Sequence, residues 1–395
     1  MRSVTSWCAT FAFLLAAPAV FGQESAPPKA ETSPPDEPAQ VPVKEEKEQT
    51  DPVPLKTEGV PVQGEFAVVP FGFPTYSPET SVMVGGAAMF VYRFPEGSGR
   101  RDSQVLTALA ASVKGQVTFL VQPDIYLWND NIQIGATLAA SRFPNSFYGI
   151  GNSPDGKKEE KYTPVTFEAA LSPKLRLVEG LYLGPEVRFQ YANITDKESG
   201  GLLQSGAVRG SDGGNIVQLG ASGFYDARDN TIYPHRGHIV RVNARTALTG
   251  LGSDFSYRSL TVDARKYFPM PWEKHVLAMQ ALFEVRDGEP PFYDLGQLGG
   301  DATMRGYFQG KFRDRNYVTA QVEYRMPLFW RLGAVGFVSA GQVARTLDDM
   351  RFSDIKVGAG GGLRLAPFKD VPVNIRVDIA YGDEPNFYVN IGEAF

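Results

Sequence analysis

From Glu65 to Phe395 the sequence repeats one pattern: runs of roughly ten to fifteen residues in which apolar and polar side chains alternate, with no segment of helical period among them. Val373, Ile375, Val377 and Ile379 alternate with Asn374, Arg376 and Asp378; Leu260, Val262 and Ala264 with Thr261, Asp263 and Arg265; Val187 and Phe189 with Glu186, Arg188 and Gln190. Side chains along a strand point to opposite faces in turn, so each run has one apolar and one charged face. About sixteen such runs follow one another, which makes the fold all-β. Two arrangements use strands of this kind. In a soluble sandwich the charged face is outside; in a transmembrane barrel the apolar face meets hydrocarbon and the charged face lines a wet interior.

The connections decide between them. Every second one is short or compact: WNDN at 128–131, VEG at 178–180, FPMPW at 268–272, PLFWR at 327–331 and PFKD at 367–370. The opposite side carries the long ones, near 144–160, 194–214 and 287–314. Short turns at one rim and long loops at the other are what a bacterial outer-membrane barrel shows. Trp128, Trp272, Trp330 and Phe268 fall at the short-turn rim, where an aromatic belt is expected. Closure also removes the edge strands that an open sheet of this size would expose. The last run sets Phe387, Val389 and Ile391 against Tyr388, Asn390 and Gly392 and reaches Phe395; it resembles the carboxyl-terminal signal of such barrels. Together these features predict a transmembrane antiparallel β-barrel of about sixteen strands over residues 65–395.

Residues 1–22 read as a secretory signal, with Arg2 as the positive start, Ala9 to Val20 as the apolar centre, and Val20 and Gly22 as the small residues before a cut. The only cysteine, Cys8, lies inside it, so the exported chain would hold no disulfide and no thiolate ligand. Residues 23–64 are rich in Pro, Glu and Lys and too poor in apolar side chains to offset the entropy of ordering, which predicts a disordered periplasmic arm. Between Gln23 and Val60 nine acidic residues stand against four lysines, so the formal charge of −5 on the whole chain resides here. The acidic arm is a candidate site for a periplasmic partner, and an exported chain of this charge is a poor match for nucleic acid. Nothing points to catalysis: there is no Gly-x-Ser-x-Gly elbow, the histidines are His235, His238 and His275, and no metal-ligand spacing stands out. The expectation is a protein that is not an enzyme and needs no cofactor or metal.

One stretch stands apart. Gly299 to Asn316, GGDATMRGYFQGKFRDRN, is too long and polar for a tight turn and sits between two strictly alternating runs, which makes it a structured loop. It holds Met304, Arg305, Gly306 and Tyr307, with Gly299 and Gly300 before them. Downstream lie Glu323-Tyr324-Arg325 and the run from Phe337 through Ser339 to Gly341. Upstream, in YDARDNTIYPHRG from Tyr225 to Gly237, Asp226, Arg228 and Asp229 lead into a turn closed by Pro234 and Gly237. With these motifs the chain resembles the BamA/TamA-like outer-membrane superfamily, also called bacterial surface antigens, over nearly everything from Glu65 to Phe395. The resemblance implies a sixteen-stranded barrel whose first and last strands are weakly paired, with the loop between the eleventh and twelfth strands tucked into the lumen.

The residues suit those roles. An arginine at the tip of an inward loop needs a carboxylate, and Glu323, on the same strand face as Arg325, is the nearest candidate. Gly306 allows a backbone conformation closed to other residues, Tyr307 offers a ring to the inner wall, and the run Gly358, Gly360, Gly361 and Gly362 leaves room for the loop. Two positions depart from the family. Ser339 stands where an acidic residue is common, so Arg305 lacks one customary partner. The arm at 23–64 is too short and polar for a POTRA domain, which marks a short form.

The resemblance implies assistance to the insertion or translocation of proteins or lipids at the outer membrane, through a lateral seam between first and last strands. Pro70 and Pro74 in the first strand carry no N–H for a ladder and fit such a seam. The implied partners are outer-membrane lipid and unfolded outer-membrane or secreted proteins. Two other readings remain. One is a passive pore whose lumen mixes Glu186, Arg188, Asp263, Arg265, Arg376 and Asp378; the other is a surface protein whose loops near 144–160 and 194–214 bind an external partner.

Overall fold

The computed structural model of the chain describes residues 64–94, 100–153, 159–231, 233–367 and 374–395. The expected signal at 1–22 and all of the arm except Gly64 lie outside the described residues. In chain order the strands are β1 (Glu65–Ser77), β2 (Ser81–Arg93), β3 (Ser103–Ser112), β4 (Val117–Leu127), β5 (Ile132–Arg142), β6 (Asn145–Phe147), β7 (Glu160–Val178), β8 (Leu181–Thr195), β9 (Gly213–Asp226) and β10 (Gly237–Ala247). They continue with β11 (Tyr257–Pro269), β12 (Val276–Gly288), β13 (Gly296–Leu298), β14 (Phe312–Asp314), β15 (Asn316–Pro327), β16 (Leu332–Ala344), β17 (Lys356–Leu365), β18 (Ile375–Tyr381) and β19 (Pro385–Ile391). Sixteen of these close into one antiparallel barrel in sequence order, with β1 returning to meet β19. The other three are loop strands: β6 pairs with the start of β7, and β13 with β14 makes a small hairpin at the base of the long loop.

Outside, the wall is apolar. Phe66, Val84, Leu109, Leu171, Leu363 and Ile379 stand exposed on outward faces, a surface that water would disfavour and hydrocarbon accepts. Trp128, Trp272 and Trp330 are exposed at the short-turn rim. Inside, the wall has two characters. From β7 round to β18 the inward side chains are ionic, among them Glu168, Arg188, Glu284, Arg286, Glu323 and Asp378, all nearly free of solvent. Across β2 to β5 much of the inner face is apolar instead: Met83, Met89, Val91, Leu106, Leu120 and Ala139 form one buried cluster.

At the long-loop rim the connections pack on one another. Phe147, Leu203, Val208, Phe255, Phe292 and Tyr293 belong to one buried cluster. Phe292 takes edge contacts from Phe147 at 5.3 Å and Tyr162 at 5.4 Å. The amide of Gly151 donates to the Arg313 carbonyl at 2.8 Å, and Asn152 Nδ2 to the Asp354 carbonyl at 2.6 Å. Phe147 of the loop near 144–160 and Leu203 and Val208 of the loop near 194–214 are thus spent on a cap over the barrel mouth.

The end of the chain departs from the expected strand. Alternation predicts pairing as far as Phe395, yet β19 stops at Ile391; Gly392, at φ 81°, turns the backbone inward. A straight strand would place Glu393 on the hydrocarbon face, where a charge is costly. Turned in, Glu393 accepts from Arg364 Nε at 2.7 Å and Asn374 Nδ2 at 2.7 Å. Phe395 is buried with Tyr267, Val276 and Ala278. Phe387 faces outward and is partly exposed, with Val389 and Ile391 on the same strand face and half-buried.

Candidate functional site

The connection between β12 and β15 enters the barrel and is dry at its key positions: Leu298, Met304, Arg305 and Arg313 have relative exposures of 0, 0, 1 and 0%. A guanidinium removed from water to that degree requires compensation. Arg305 has it on three sides. Its Nη2 donates to Glu323 Oε2 on β15 at 2.6 Å, and its Nη1 to Asp378 Oδ2 on β18 at 2.6 Å. The guanidinium carbon lies 3.3 Å from the centroid of the Phe337 ring on β16, an arrangement that suits a flat delocalised cation and not an ammonium. Ser339, where an acid was the customary partner, instead donates its hydroxyl to the Gly358 carbonyl at 3.3 Å; Asp378 supplies the second carboxylate from the other side of β17.

The backbone around Arg305 is shaped by glycine at two points. Gly306 has φ 98°, and its amide donates to the Tyr388 hydroxyl at 3.0 Å. A Cβ at Gly358 would come within 2.5 Å of the Arg305 carbonyl oxygen, so a side chain on β17 there would push the loop off the wall. Tyr307 donates its hydroxyl to the Val357 carbonyl at 3.0 Å. Gly299 and Gly300 turn the entry to this segment, where the Gly300 amide meets the Tyr307 carbonyl at 3.0 Å. Gly341 sits in β16 opposite Thr319.

Three more arginines extend the cluster. Arg364 on β17 donates to Asp378 Oδ1 at 2.6 Å and Glu393 at 2.7 Å and stands 3.5 Å from Glu323. Arg325 donates to Glu323 Oε1 at 2.9 Å and to the Phe395 backbone oxygen at 2.7 Å. Arg376 donates to Asp301 in the loop at 2.5 Å, and Asn390 of β19 donates to the same carboxylate oxygen at 2.6 Å. Cations and carboxylates alternate through the group, so each buried charge has an opposite neighbour.

The loop has a second anchor of opposite sign. Asp294 accepts from Arg188 Nη1 at 3.3 Å, Arg286 Nε at 3.5 Å and the Tyr257 hydroxyl at 2.7 Å. Burial alone would raise its carboxyl, but Arg188 and Arg286 outweigh that and hold it below the ordinary carboxylate range. Arg188 in turn meets Glu168 at 3.0 Å. Asp294 thus ties one end of the loop to β8 and β12, and Arg305 ties the middle to β15 and β18.

Beside these anchors lies the closure of the barrel. β1 runs against β2 residue by residue from Glu65 opposite Arg93 to Ser77 opposite Ser81, whereas its other edge meets β19 at a single pair, Tyr76 opposite Val389. The Tyr76 and Phe387 rings pack across that join with centroids 5.8 Å apart. The loop reaches both banks of it. On the β19 side Gly306 binds Tyr388, its carbonyl accepts from the Asp383 amide at 3.0 Å, and Lys311 pairs with Asp383. On the β1 side the Gln309 amide donates to Glu79 Oε1 at 2.8 Å, in the turn between β1 and β2. Glu79 is buried, and burial pushes its carboxyl above the usual range.

The remaining motif sits beneath the cluster. Arg228 grips Asp226 through Nε at 2.9 Å and Nη2 at 2.8 Å, and Asp229 accepts from the amides of His235 and Arg236 at 3.0 and 3.2 Å. Pro234 is buried and Gly237, at φ 100°, starts β10. The turn lifts Tyr233 to 5.8 Å from the Arg325 guanidinium, which also faces Tyr267 at 5.8 Å and Phe395 at 5.4 Å. The turn and the loop motif, distant in sequence, thus converge on one cluster.

Sequence reasoning named Arg305, Tyr307 and Glu323 and put Asp378 on the lumen face by alternation, but did not pair it with Arg305. Asp294, Asp301 and Glu79 were not singled out. They lie in connections, where no period says which way a side chain turns. Among the described residues no helix is long and apolar enough to cross a membrane and no group of His, Cys, Asp or Glu is arranged to hold a metal.

A family model, the Omp85 superfamily domain, matches residues 114–395. BamA from Haemophilus ducreyi, in a structure lacking POTRA domains 1-3, matches with TM-score 0.59 at 14% identity over 84% of this chain and 70% of that one. CdiB from Escherichia coli matches with TM-score 0.55 at 12% identity over 86% and 68%. CdiB from Acinetobacter baumannii gives 0.53 and 10% over 82% and 59%. At these identities the likeness is one of fold.

Proposed function

This chain belongs to the Omp85 superfamily, and on that footing we propose that it works at the bacterial outer membrane, assisting the insertion or translocation of proteins or lipids through a lateral seam between β1 and β19. The observation that carries this reading is the asymmetry of β1, paired along its whole length on one side and at one position on the other. Opening there breaks few backbone hydrogen bonds, whereas parting any other neighbours breaks a full ladder. Pro70 and Pro74 deepen the asymmetry, because a prolyl nitrogen has nothing to donate.

In this mechanism the two walls do different work. The Arg305 cluster ties β15 through β18 to the loop and makes a fixed abutment on one side of the seam. β1 to β5 lie away from the Arg305 cluster and form the side that swings. The Glu79 contact with Gln309 is the one tether from the loop to the moving bank that the geometry provides among the described residues. The arm at 23–64 is a candidate docking segment for a periplasmic partner, and outer-membrane lipid with unfolded outer-membrane or secreted proteins are the natural clients.

A passive pore fits less well, because the loop crosses the lumen with Leu298, Met304 and Arg313 shielded from water. A partner-binding surface formed by the loops near 144–160 and 194–214 fits less well, because Phe147, Leu203 and Val208 are buried in the cap.

Tyr76→Cys with Val389→Cys tests the seam, since the two positions face each other and Cys8 is the one native cysteine. Oxidation should abolish rescue of a strain depleted of the protein, and reduction should restore it. Rescue by the cross-linked form would rule the seam out. A census of outer-membrane proteins and lipids lost on depletion names the client class.

A further inference from the structure

We propose that what crosses the seam is an amphiphile with acyl chains and a charged headgroup, its chains lying along the β1 to β5 inner wall, and not a β-strand client that extends the sheet. The proposal rests on the seam reading above and concerns its cargo.

The first observation is the edge of β1. Strand β1 pairs with β2 through Pro70 opposite Ala88 and Pro74 opposite Val84 without a break. Proline survives in a ladder where its nitrogen faces away from the partner, so both prolyl nitrogens face the seam; four residues apart, they share one edge. A client strand laid there would find carbonyls but would miss two donors, leaving two of its own carbonyls unpaired in hydrocarbon, where no water satisfies them. An acyl chain asks for no backbone partner.

The second observation is the path. Outside the join, Gly72 and Gly86 face each other across β1 and β2; a Cβ on Gly86 would meet nothing within 4 Å, and one on Gly72 only the Gly85 carbonyl at 3.7 Å. They leave a notch in the hydrocarbon-facing surface. Val69 and Phe71 take up the inner lip on the β1 bank, and Ile391, from the outer face of β19, packs with Ala87 on the same apolar cluster of Met83, Met89, Leu106 and Leu120. Hydrocarbon outside is thus continuous through the join with an apolar sector inside.

The third is the opposite wall. From β7 to β18 the interior is ionic, its guanidiniums and carboxylates paired with one another, so a charged headgroup on that side meets a polar wall in place of hydrocarbon. One apolar and one ionic wall facing a common lumen match a molecule with two such ends. A transmembrane strand, apolar on one side only and needing both edges paired, matches neither.

The test uses the full chain in vesicles of phosphatidylethanolamine and phosphatidylglycerol containing a trace of headgroup-labelled fluorescent phospholipid, with an external quencher reporting transbilayer movement. A parallel sample receives a urea-unfolded barrel protein as strand client. The proposal expects lipid movement at least several-fold faster than in protein-free vesicles. Oxidised Tyr76→Cys/Val389→Cys and Phe71→Gln should both slow it. Pro70→Val/Pro74→Val, which restores the donors, should also slow it by strengthening closure. Heat-modifiable migration of each variant confirms a folded barrel. If vesicles stay as tight as protein-free ones while the unfolded client inserts faster in a cross-link-sensitive way, the lipid proposal falls and the seam reading stands. If Pro70→Val/Pro74→Val speeds client insertion, the cargo is a strand. If lipid moves at the same rate with the seam oxidised, the path is not the seam and the proposal falls.

Discussion

The two halves of the barrel interior solve one problem in opposite ways. Inward side chains of both halves are nearly free of solvent; β2 to β5 achieve this with Met83, Met89, Leu106 and Leu120, while β15 to β18 achieve it with Glu323, Arg364 and Asp378 around Arg305. Apolar contacts are numerous, individually weak and indifferent to direction, so that half can shift by small amounts without a large penalty. Buried ion pairs are few and directional, and losing one partner strands the other, so that half either holds or fails. The join of β1 and β19 lies between them, with β1 on the apolar side and β19 beside the ionic one. The proposed moving part and its abutment would thus differ in the chemistry of their inner faces.

The sharpest way to break this contrast is to remove a cation from the rigid half. Arg364→Ala leaves Asp378 and Glu393 short of a partner and should cost about 3 to 5 kcal/mol, seen as a lower urea midpoint for loss of the heat-resistant barrel. Arg305→Lys should recover only part of the Arg305→Ala loss, since an ammonium cannot lie flat on Phe337 and fork to two carboxylates. On the yielding half, Leu120→Ala should cost roughly 2 to 3 kcal/mol by the same measurement, and its neighbours should close part of the gap. Glu79→Ala leaves the buried Gln309 amide without its acceptor and should cost about 1 to 2 kcal/mol, read as faster hydrogen exchange at Gln309 with little change in the barrel midpoint. Smallest is the exposed pair of Arg209 and Glu289 at 3.2 Å on the cap, where Arg209→Ala should change stability by less than about 1 kcal/mol.

Acid separates the anchors further. Because Asp294 is held below the ordinary carboxylate range, its contribution is fully present above that range and is lost only as pH falls through it toward the lower folded value. Protease access to the loop should therefore stay constant from neutral pH to about pH 5 and rise only below about pH 4.

Much of the barrel was legible in the sequence because alternation is a strong signal when one face meets hydrocarbon and the other does not: a one-residue slip would invert every side chain. The same period put Asp378 and Glu323 on one face. It did not say that they converge on Arg305, since that depends on which strands a loop crosses in space. Alternation misled at Phe395, where Gly392 lets the chain turn in and Glu393 finds Arg364. The apolar inner wall of β2 to β5 was hidden for a related reason. With apolar residues on both faces, Val82 with Met83 and Val84, or Leu106 with Leu109, the runs read simply as greasy strands. Asp294 and Glu79 were out of reach because connections have no period.

The most direct test of the central claim is native-state hydrogen exchange on the protein in lipid bilayers, resolved strand by strand. Seam-facing amides of β1 and β19 should exchange through a local opening at denaturant concentrations that leave β12, β15, β16 and β17 protected, and Tyr76→Cys/Val389→Cys oxidation should slow the first set alone. Uniform protection of β1 and β15, lost together at global unfolding, would contradict the account.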